Sequence, residues 1–214
     1  MKIYHISDTH GSHKSLTIPD VDVLVFSGDC SNPRDPYTSH QEVLNFINWF
    51  EDQPTKYKIF VAGNHDIAIE RRLIDMRSYN FTYLENESVE IEGLKFWGSP
   101  ISPSFGVGWG FNKSRDKMYQ LWDTIPKDTD CIITHGPPKG ILDLNSNVES
   151  CGCSALAKTV DKIRPQLVMF GHIHDNDKVK NSGLLLRDSI IYSNGSVVND
   201  RLELVNSGNL IELR

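Results

Sequence analysis

The sequence predicts a layered α/β fold with a second β-sheet packed on the first. Three observations carry this expectation. Five short runs, at 2–7, 22–27, 58–62, 131–134 and 166–170, are mostly apolar and rich in β-branched residues. Runs of that kind suit strands buried on both faces. Helical patterns lie between several of them, and strands alternating with helices build a layered domain. Two stretches, 88–98 and 183–213, break the alternation, and a second sheet is their natural place.

The elements follow in order. After the first two strands, residues 39–52 set Val43, Phe46, Ile47 and Phe50 at helical spacing. Ser39, with Glu42 three residues on, reads as a capping box at that helix's start. Beyond the third strand, residues 67–76 (Ile67, Arg71, Leu73, Ile74) read as a helix. Residues 88–98 read as a hairpin around Glu92-Gly93, and 99–110 as a Pro/Gly-rich loop. A helix over 114–123 carries Met118, Leu121 and Trp122. The fourth strand and the loop 136–140 come next. A helix over 153–164 follows, with Leu156, Val160 and Ile163 on one face and Pro165 as its stop. Short strands are expected at 184–186, 190–193, 201–205 and 210–213.

A chain of 214 residues with no composition seam suits a single domain over 1–214. The net charge of -6 supplies no footprint for long nucleic acid. It leaves room for a small anionic substrate, since bound metal ions would dominate the local field. No basic, apolar leader opens the chain, and no apolar run approaches the roughly 18 residues of a membrane span. A cytoplasmic setting is therefore expected, with Cys30, Cys131, Cys151 and Cys153 as free thiols. Cys151-Gly152-Cys153 reads as small residues at a tight helix start rather than as a zinc site.

The chemistry lies at the C-terminal ends of the five apolar runs. The first ends in Asp8-Thr9-His10 and the second in Gly28-Asp29. The third ends in Gly63-Asn64-His65-Asp66, the fourth in His135-Gly136, the fifth in Gly171-His172-Ile173-His174. Ligands of open α/β sheets bind beyond these strand ends. Parallel strands would bring all five to one edge, with glycines 28, 63 and 171 allowing sharp turns. Asp8 and His10 are alternate residues, as are His172 and His174, so an extended backbone would aim each pair to one side. Asp8, His10, Asp29, Asn64, His135, His172 and His174 are more ligands than one zinc-like ion takes. Two ions are expected. The mixed N and O donors suit Mn, Fe, Zn, Co or Ni better than Mg or Ca. His65 is the candidate catalytic side chain, as proton donor or phosphoryl-oxygen partner, with the alternative that it only orients a metal ligand. Asp66 either orients His65 or caps the helix that follows. His5, inside a strand, reads as a satisfied core histidine. His13 and His40 fall in loop or cap positions.

Taken together, these motifs resemble the calcineurin-like metallophosphoesterase superfamily, whose ordered signature is complete here. The resemblance implies two packed mixed β-sheets flanked by helices, a four-layer sandwich. It implies that Asp8, His10 and His174 hold one ion, that Asn64, His135 and His172 hold the other, and that Asp29 bridges. It implies His65 as the catalytic histidine. A closer similarity is to the small metallophosphoesterase-domain proteins expressed in vertebrate brain. It is carried by Asn45-Phe46, Trp49-Phe50, Gly98-Ser99-Pro100, Trp109-Gly110-Phe111-Asn112 and Thr134-His135-Gly136-Pro137-Pro138. That branch implies a phosphodiesterase on small substrates, cyclic nucleotides among them, using metal-activated hydroxide. Segment 30–38, with Pro33 and Pro36, departs from the branch beside Asp29. Trp109, Phe111, Asn112 and Arg115 are the candidate substrate contacts. The rival expectations are a protein phosphatase of the same fold and a non-catalytic binding module. The complete ligand set argues against the second.

Overall fold

In the computed structural model, which describes residues 1–32 and 35–213, the apolar runs sort their side chains by strict alternation. In strand β1 (Lys2–Ile6), Ile3 faces one core while Tyr4 and Ile6 face another. In β2 (Val23–Phe26), Val23 and Val25 face the first core and Leu24 and Phe26 the second. Both faces of each strand are thus apolar because both are covered. β3 (Tyr57–Phe60) repeats the pattern, and β4 (Thr82–Tyr83) closes that side.

The chain continues through the antiparallel pair β5 (Glu87–Ile91) and β6 (Leu94–Ser99), turning at Glu92 and Gly93, both at positive φ. Two short strands, β7 (Ser102–Pro103) and β8 (Asn112–Lys113), pair across the loop between them. Then follow β9 (Cys131–Thr134), β10 (Leu167–Phe170), β11 (Gly183–Arg187), β12 (Ile190–Asn194) and β13 (Asn209–Glu212). One sheet runs β13-β1-β2-β3-β4, with only β13 antiparallel. The other runs β11-β12-β10-β9-β6-β5, antiparallel only at its two outer strands. Ile3, Val25 and Ile59 meet Phe96, Ile133 and Met169 between them.

Helices cover the outer faces. α1 (Pro36–Glu51) and α2 (Ile67–Glu70) lie on the first sheet, against Phe26 and Phe60. α3 (Met118–Trp122) and α4 (Ser154–Ile163) lie on the second, against Ile132 and Val168. The four layers are those expected, but the assignment of strands differs. The five ligand-bearing runs do not share one sheet: β1, β2 and β3 belong to one, β9 and β10 to the other. The late strands divide likewise, β11 and β12 to the second sheet and β13 to the first.

Four local expectations are corrected. Ser39 does not cap α1; Asp35 does, accepting the Thr38 N–H, with Pro36 at the first helical position. Proline belongs there because its missing N–H is not needed. Ser39 is instead buried inside the helix, and the Glu42 carboxylate accepts the Asn32 N–H. The helix at 67–76 stops at Glu70, since Arg72 takes a left-handed φ of +57°. Residues 114–123 split into a 3-10 turn (Arg115–Lys117) and the short α3. Residues 201–205 form no strand; Leu204 makes a single bridge to Val198. α4 agrees closely, capped by the Cys153 sulfur, which accepts the Leu156 N–H, and ended by left-handed Arg164. All four cysteines are free. Pro33 of the divergent segment 30–38 lies outside the described residues.

His5 is the satisfied core histidine. Its Nδ1 pairs with Ser193 Oγ at 2.7 Å and its Nε2 with Ser27 Oγ at 2.9 Å, so it ties the two sheets together. His13 is also buried, 3.2 Å from Asn45 Oδ1, while His40 lies within α1. No helix among the described residues is long and apolar enough to cross a membrane.

Burial drives the His5 pKa down to about 3, against a smaller opposing pull from Asp8. The folded state therefore holds His5 neutral while the unfolded chain takes up a proton below about pH 6.5. This contribution is complete above pH 6.5 and is lost as pH falls towards 3. Between pH 7 and pH 5 it amounts to about 2 kcal/mol. Urea denaturation at the two pH values should show a smaller stability loss in His5→Gln than in the native sequence.

Candidate metal centre

The carboxyl ends of the five strands meet although they come from two sheets. Asp8 and His10 follow β1, Asp29 follows β2, and Asn64 and His65 follow β3. His135 follows β9, and His172 and His174 follow β10. One ligand atom from each of Asp8, His10 and His174 lies within 4.8 Å of the others, and the same holds for Asp29, His135 and His172. A third such group, His10, Asp29 and His65, sits between and shares members with both. Asn64 Oδ1 is 2.9 Å from His135 Nε2.

The backbone that achieves this is not extended. Asp8, His10, Asp29 and His172 take left-handed φ values of +53°, +42°, +61° and +69°. Each non-glycine residue so held costs about 1–3 kcal/mol and persists only where its surroundings fix it. They do so here. The Asp8 carboxylate accepts the His172 N–H at 2.9 and 3.0 Å, which locks one sheet's end onto the other's. Gly171 permits that approach: a Cβ there would lie 2.0 Å from Asp8 Oδ2. The glycine is thus required for closeness. Gly28, at φ +109°, does make the expected turn.

Three of the candidate ligand imidazoles have a carbonyl at Nδ1: Ser31 O for His10 (3.1 Å), Ser27 O for His135 (2.9 Å) and Asn199 O for His174 (3.2 Å). Donating Nδ1–H to a carbonyl leaves Nε2 as a lone pair, the arrangement that orients a metal-ligating histidine. His10 Nε2 is buried with no hydrogen-bond partner among the described residues. His135 Nε2 faces Asn64 Oδ1 and, at 3.2 Å, Asp29 Oδ2, so its lone pair meets other lone pairs. A proton at Nε2 or a cation ligated by all three relieves that crowding of acceptors.

The charge balance agrees. Asp8 and Asp29 are 0% and 2% exposed, and a buried carboxylate demands compensation. Burial alone would raise the Asp8 pKa, yet His174 outweighs it and brings the value down to about 2. Burial pushes the Asp29 pKa up as well, but His135, His65 and His10 together hold it well below the usual carboxylate range. Burial opposes a proton on His135, but Asp29 overrides it and lifts the pKa to about 9. His10 and His172 are kept neutral by burial, at about 4 and about 3. Buried anions, neutral imidazoles and an amide oxygen fit hard-to-borderline divalent cations.

Asp66 does not orient His65, and although it stands at the N-cap position of α2 its side chain does not cap the helix. Its buried carboxylate accepts the N–H groups of Asp29, Cys30, Ser31 and Gly63 at 2.8–3.1 Å, stapling the second and third ligand loops together. It makes no side-chain cap bond to the helix. His65 Nδ1 pairs instead with the Asn32 carbonyl at 2.8 Å, and the ring packs against His10 and Trp109, centroids 4.7 and 4.5 Å away.

The four candidate substrate contacts separate. Trp109 sits beside His65. Phe111 is 4% exposed and belongs to the core under the first sheet, so its ring face is not open to a ligand. Asn112 donates to Ser102 Oγ and Gly110 O and so braces its own loop. Arg115 is exposed and donates to the carbonyls of Cys151 and Gly152. Phe105 was not anticipated: its ring lies 5.1 Å from His172 and 5.4 Å from Trp109. The only signal for it was its place in the Pro/Gly-rich 99–110 loop.

With this geometry in view, the family model for calcineurin-like phosphoesterases matches residues 1–176. The chain belongs to that family. Metallophosphoesterase domain-containing protein 1 of Homo sapiens is 32% identical, covering 97% of this chain and 69% of its own. UPF0046 protein K07C11.7 of Caenorhabditis elegans is 35% identical, covering 86% and 67%. The solved structure of TT1561 of Thermus thermophilus superposes with a TM-score of 0.64 at 13% identity, covering 90% and 88%, and shows the shared fold. Calcineurin-like membership, with the clustered donors, supports a metal-dependent phosphoesterase and hence a hydrolase.

Gly171→Ala forces Asp8 or the His172 peptide to move. The expected result is a stability loss of about 1–3 kcal/mol and a drop in metal content by elemental analysis. Chelation of the native protein should lower its Tm, with restoration by Mn²⁺.

Proposed function

We propose that this protein is a dinuclear metal-dependent phosphodiesterase acting on small phosphate diesters, cyclic nucleotides among them. The observation that carries the proposal is the chain of three overlapping donor groups, joined at His10 and Asp29, with His65 at its centre. In this reading Asp8, His10 and His174 would hold one ion, Asn64, His135 and His172 would hold the other, and Asp29 would be shared by both. When bound, such a pair supplies Lewis acidity at phosphorus and lowers the pKa of water. The native metals would come from Mn, Fe, Zn, Co or Ni.

The chain's own residues do the rest. The carbonyls of Ser31, Ser27 and Asn199 keep three imidazoles in the ligating tautomer. Asp66 fixes the spacing between Asp29 and Asn64 by holding both loops. His65, with Nδ1–H committed to Asn32 O, has Nε2 left for the substrate, and a ring carrying its second proton there would donate it to a phosphoryl oxygen or to the departing alkoxide. The contact with Trp109 limits the motion of that ring.

The protein loaded with Mn²⁺ is expected to hydrolyse bis-p-nitrophenyl phosphate, and a panel of cyclic nucleotides, phosphomonoesters and phosphopeptides should rank diesters first. Absence of metal-dependent turnover, with metal content verified, would falsify the proposal. His65→Asn should lower kcat by about 10²–10⁴-fold while metal content stays the same. Full activity in that variant would remove His65 from the chemistry.

A further inference from the structure

A cavity beside His172 is the part of the site that metal binding does not explain. Its volume is about 310 Å³. Phe105, Pro137 and Ile173 give it apolar walls, His172 joins it to the candidate metal centre, and Arg115 and Cys151 are among the other residues that line it. A larger cavity of about 500 Å³ beside Arg72 and Tyr83 contains no candidate ligand, and its Arg72 is already paired with Glu85.

Arg115 is placed differently. Its Nη1 and Nη2 groups donate to the carbonyls of Gly152 (3.4 Å) and Cys151 (3.2 Å). Among the described residues no carboxylate pairs with it. Carbonyl oxygens orient a guanidinium without cancelling its charge. The result is an aimed, uncompensated cation on an apolar cavity, in a chain of net charge -6. A guanidinium has five N–H donors, so others remain for a ligand. The volume is at the small end for ligand sites and suits one ring system rather than a peptide.

We propose that this cavity receives the organic arm of the phosphoester, and that the arm it selects is a flat aromatic ring bearing an anionic substituent read by Arg115. The proposal rests on the phosphodiesterase reading for its chemistry. Phe105 offers the ring a face to stack on, while Pro137 and Ile173 bound it from the sides.

The test uses the Mn²⁺-loaded protein and three p-nitrophenyl phosphodiesters whose second arm is methyl, phenyl or 4-carboxyphenyl. The expected order of kcat/KM is methyl, phenyl, carboxyphenyl, with the last about ten-fold above phenyl. In Arg115→Met the carboxyphenyl-to-phenyl ratio should fall towards one. A second readout does not need turnover. Cys151 is half-buried whereas Cys30, Cys131 and Cys153 are buried, so a maleimide should label Cys151 first. 4-Carboxyphenyl phosphate should slow that labelling several-fold, phenyl phosphate less and methyl phosphate least. Equal kcat/KM for the phenyl and carboxyphenyl arms in an active enzyme would overturn the proposal and leave the phosphodiesterase reading standing. Selective protection of Cys151 without turnover of any diester would uphold the cavity's ligand and remove that reading. Neither protection nor turnover would remove both.

Discussion

Two carboxylates, Asp8 and Asp29, are buried at the ends of neighbouring parallel strands, and the rest of the site follows from the need to compensate them. In an apolar interior an unpaired carboxylate is expensive enough that a chain rarely tolerates one. Here both are retained and surrounded by imidazoles. His174 lies 3.2 Å from Asp8 and His135 lies 3.2 Å from Asp29. The raised His135 pKa and the lowered Asp8 and Asp29 pKa values express one demand, for positive charge at this place. A proton can meet part of that demand. The Nδ1 partners show what the arrangement favours, since each carbonyl turns an imidazole so that Nε2 faces inward as a donor of electrons.

The same demand couples the two sheets. Their interface is an apolar layer along most of its length, and apolar packing has no preferred register. Directional bonds concentrate where the strands end. His135 Nδ1 reaches Ser27 O, the His172 N–H reaches the Asp8 carboxylate, and the Ser7 N–H reaches Gly195 O at 2.8 Å. His5, one residue before the end of β1, bridges Ser27 and Ser193. The sandwich is therefore held in register chiefly at its functional end. Left-handed backbone at Asp8 and His172 is fixed by the cross-sheet bond between them, and at His10 and Asp29 by bonds among the first sheet's own loops, His10 N–H to Asp29 O and Asp29 N–H to the Asp66 carboxylate.

Why some of this was legible in the sequence and some was not follows from the same physics. A strand buried on both faces must be apolar throughout, so β1, β2, β3, β9 and β10 announce themselves, and so do the polar residues that end them. Which sheet each joins is not written there, because a doubly buried parallel strand has the same composition in either. Asp66 follows His65 directly, which invited a catalytic reading; its function lies in four N–H groups from loops up to 37 residues away, and no local pattern encodes that. Arg72 is a good helix former, so its left-handed turn could not be anticipated. Ser39 with Glu42 imitated a capping box because both side chains serve tertiary contacts to the loop after β2. Phe105 and Phe111 looked alike in sequence, and only the fold tells the exposed ring from the buried one.

The wall of the cavity beside His172 reads as loop from its composition, yet it is held by directional bonds, as the candidate metal ligands are. The buried Asp143 carboxylate accepts the N–H groups of Gly140 (3.0 Å) and Gly152 (2.9 Å) and the Ser150 hydroxyl. That clamp fixes the turn whose carbonyls, at Cys151 and Gly152, hold Arg115. Cys153, one residue on, caps α4 and accepts the Trp122 N–H, which anchors the turn to the helical layer. A guanidinium positioned through a buried carboxylate and a helix cap loses little freedom when a ligand binds, so its selectivity need not be offset by ordering. Asp29 gathers the metal ligands and Asp143 gathers the wall beside them. In both places a buried acid converts irregular backbone into a defined surface, and that is how this fold presents chemistry from segments with no regular structure of their own.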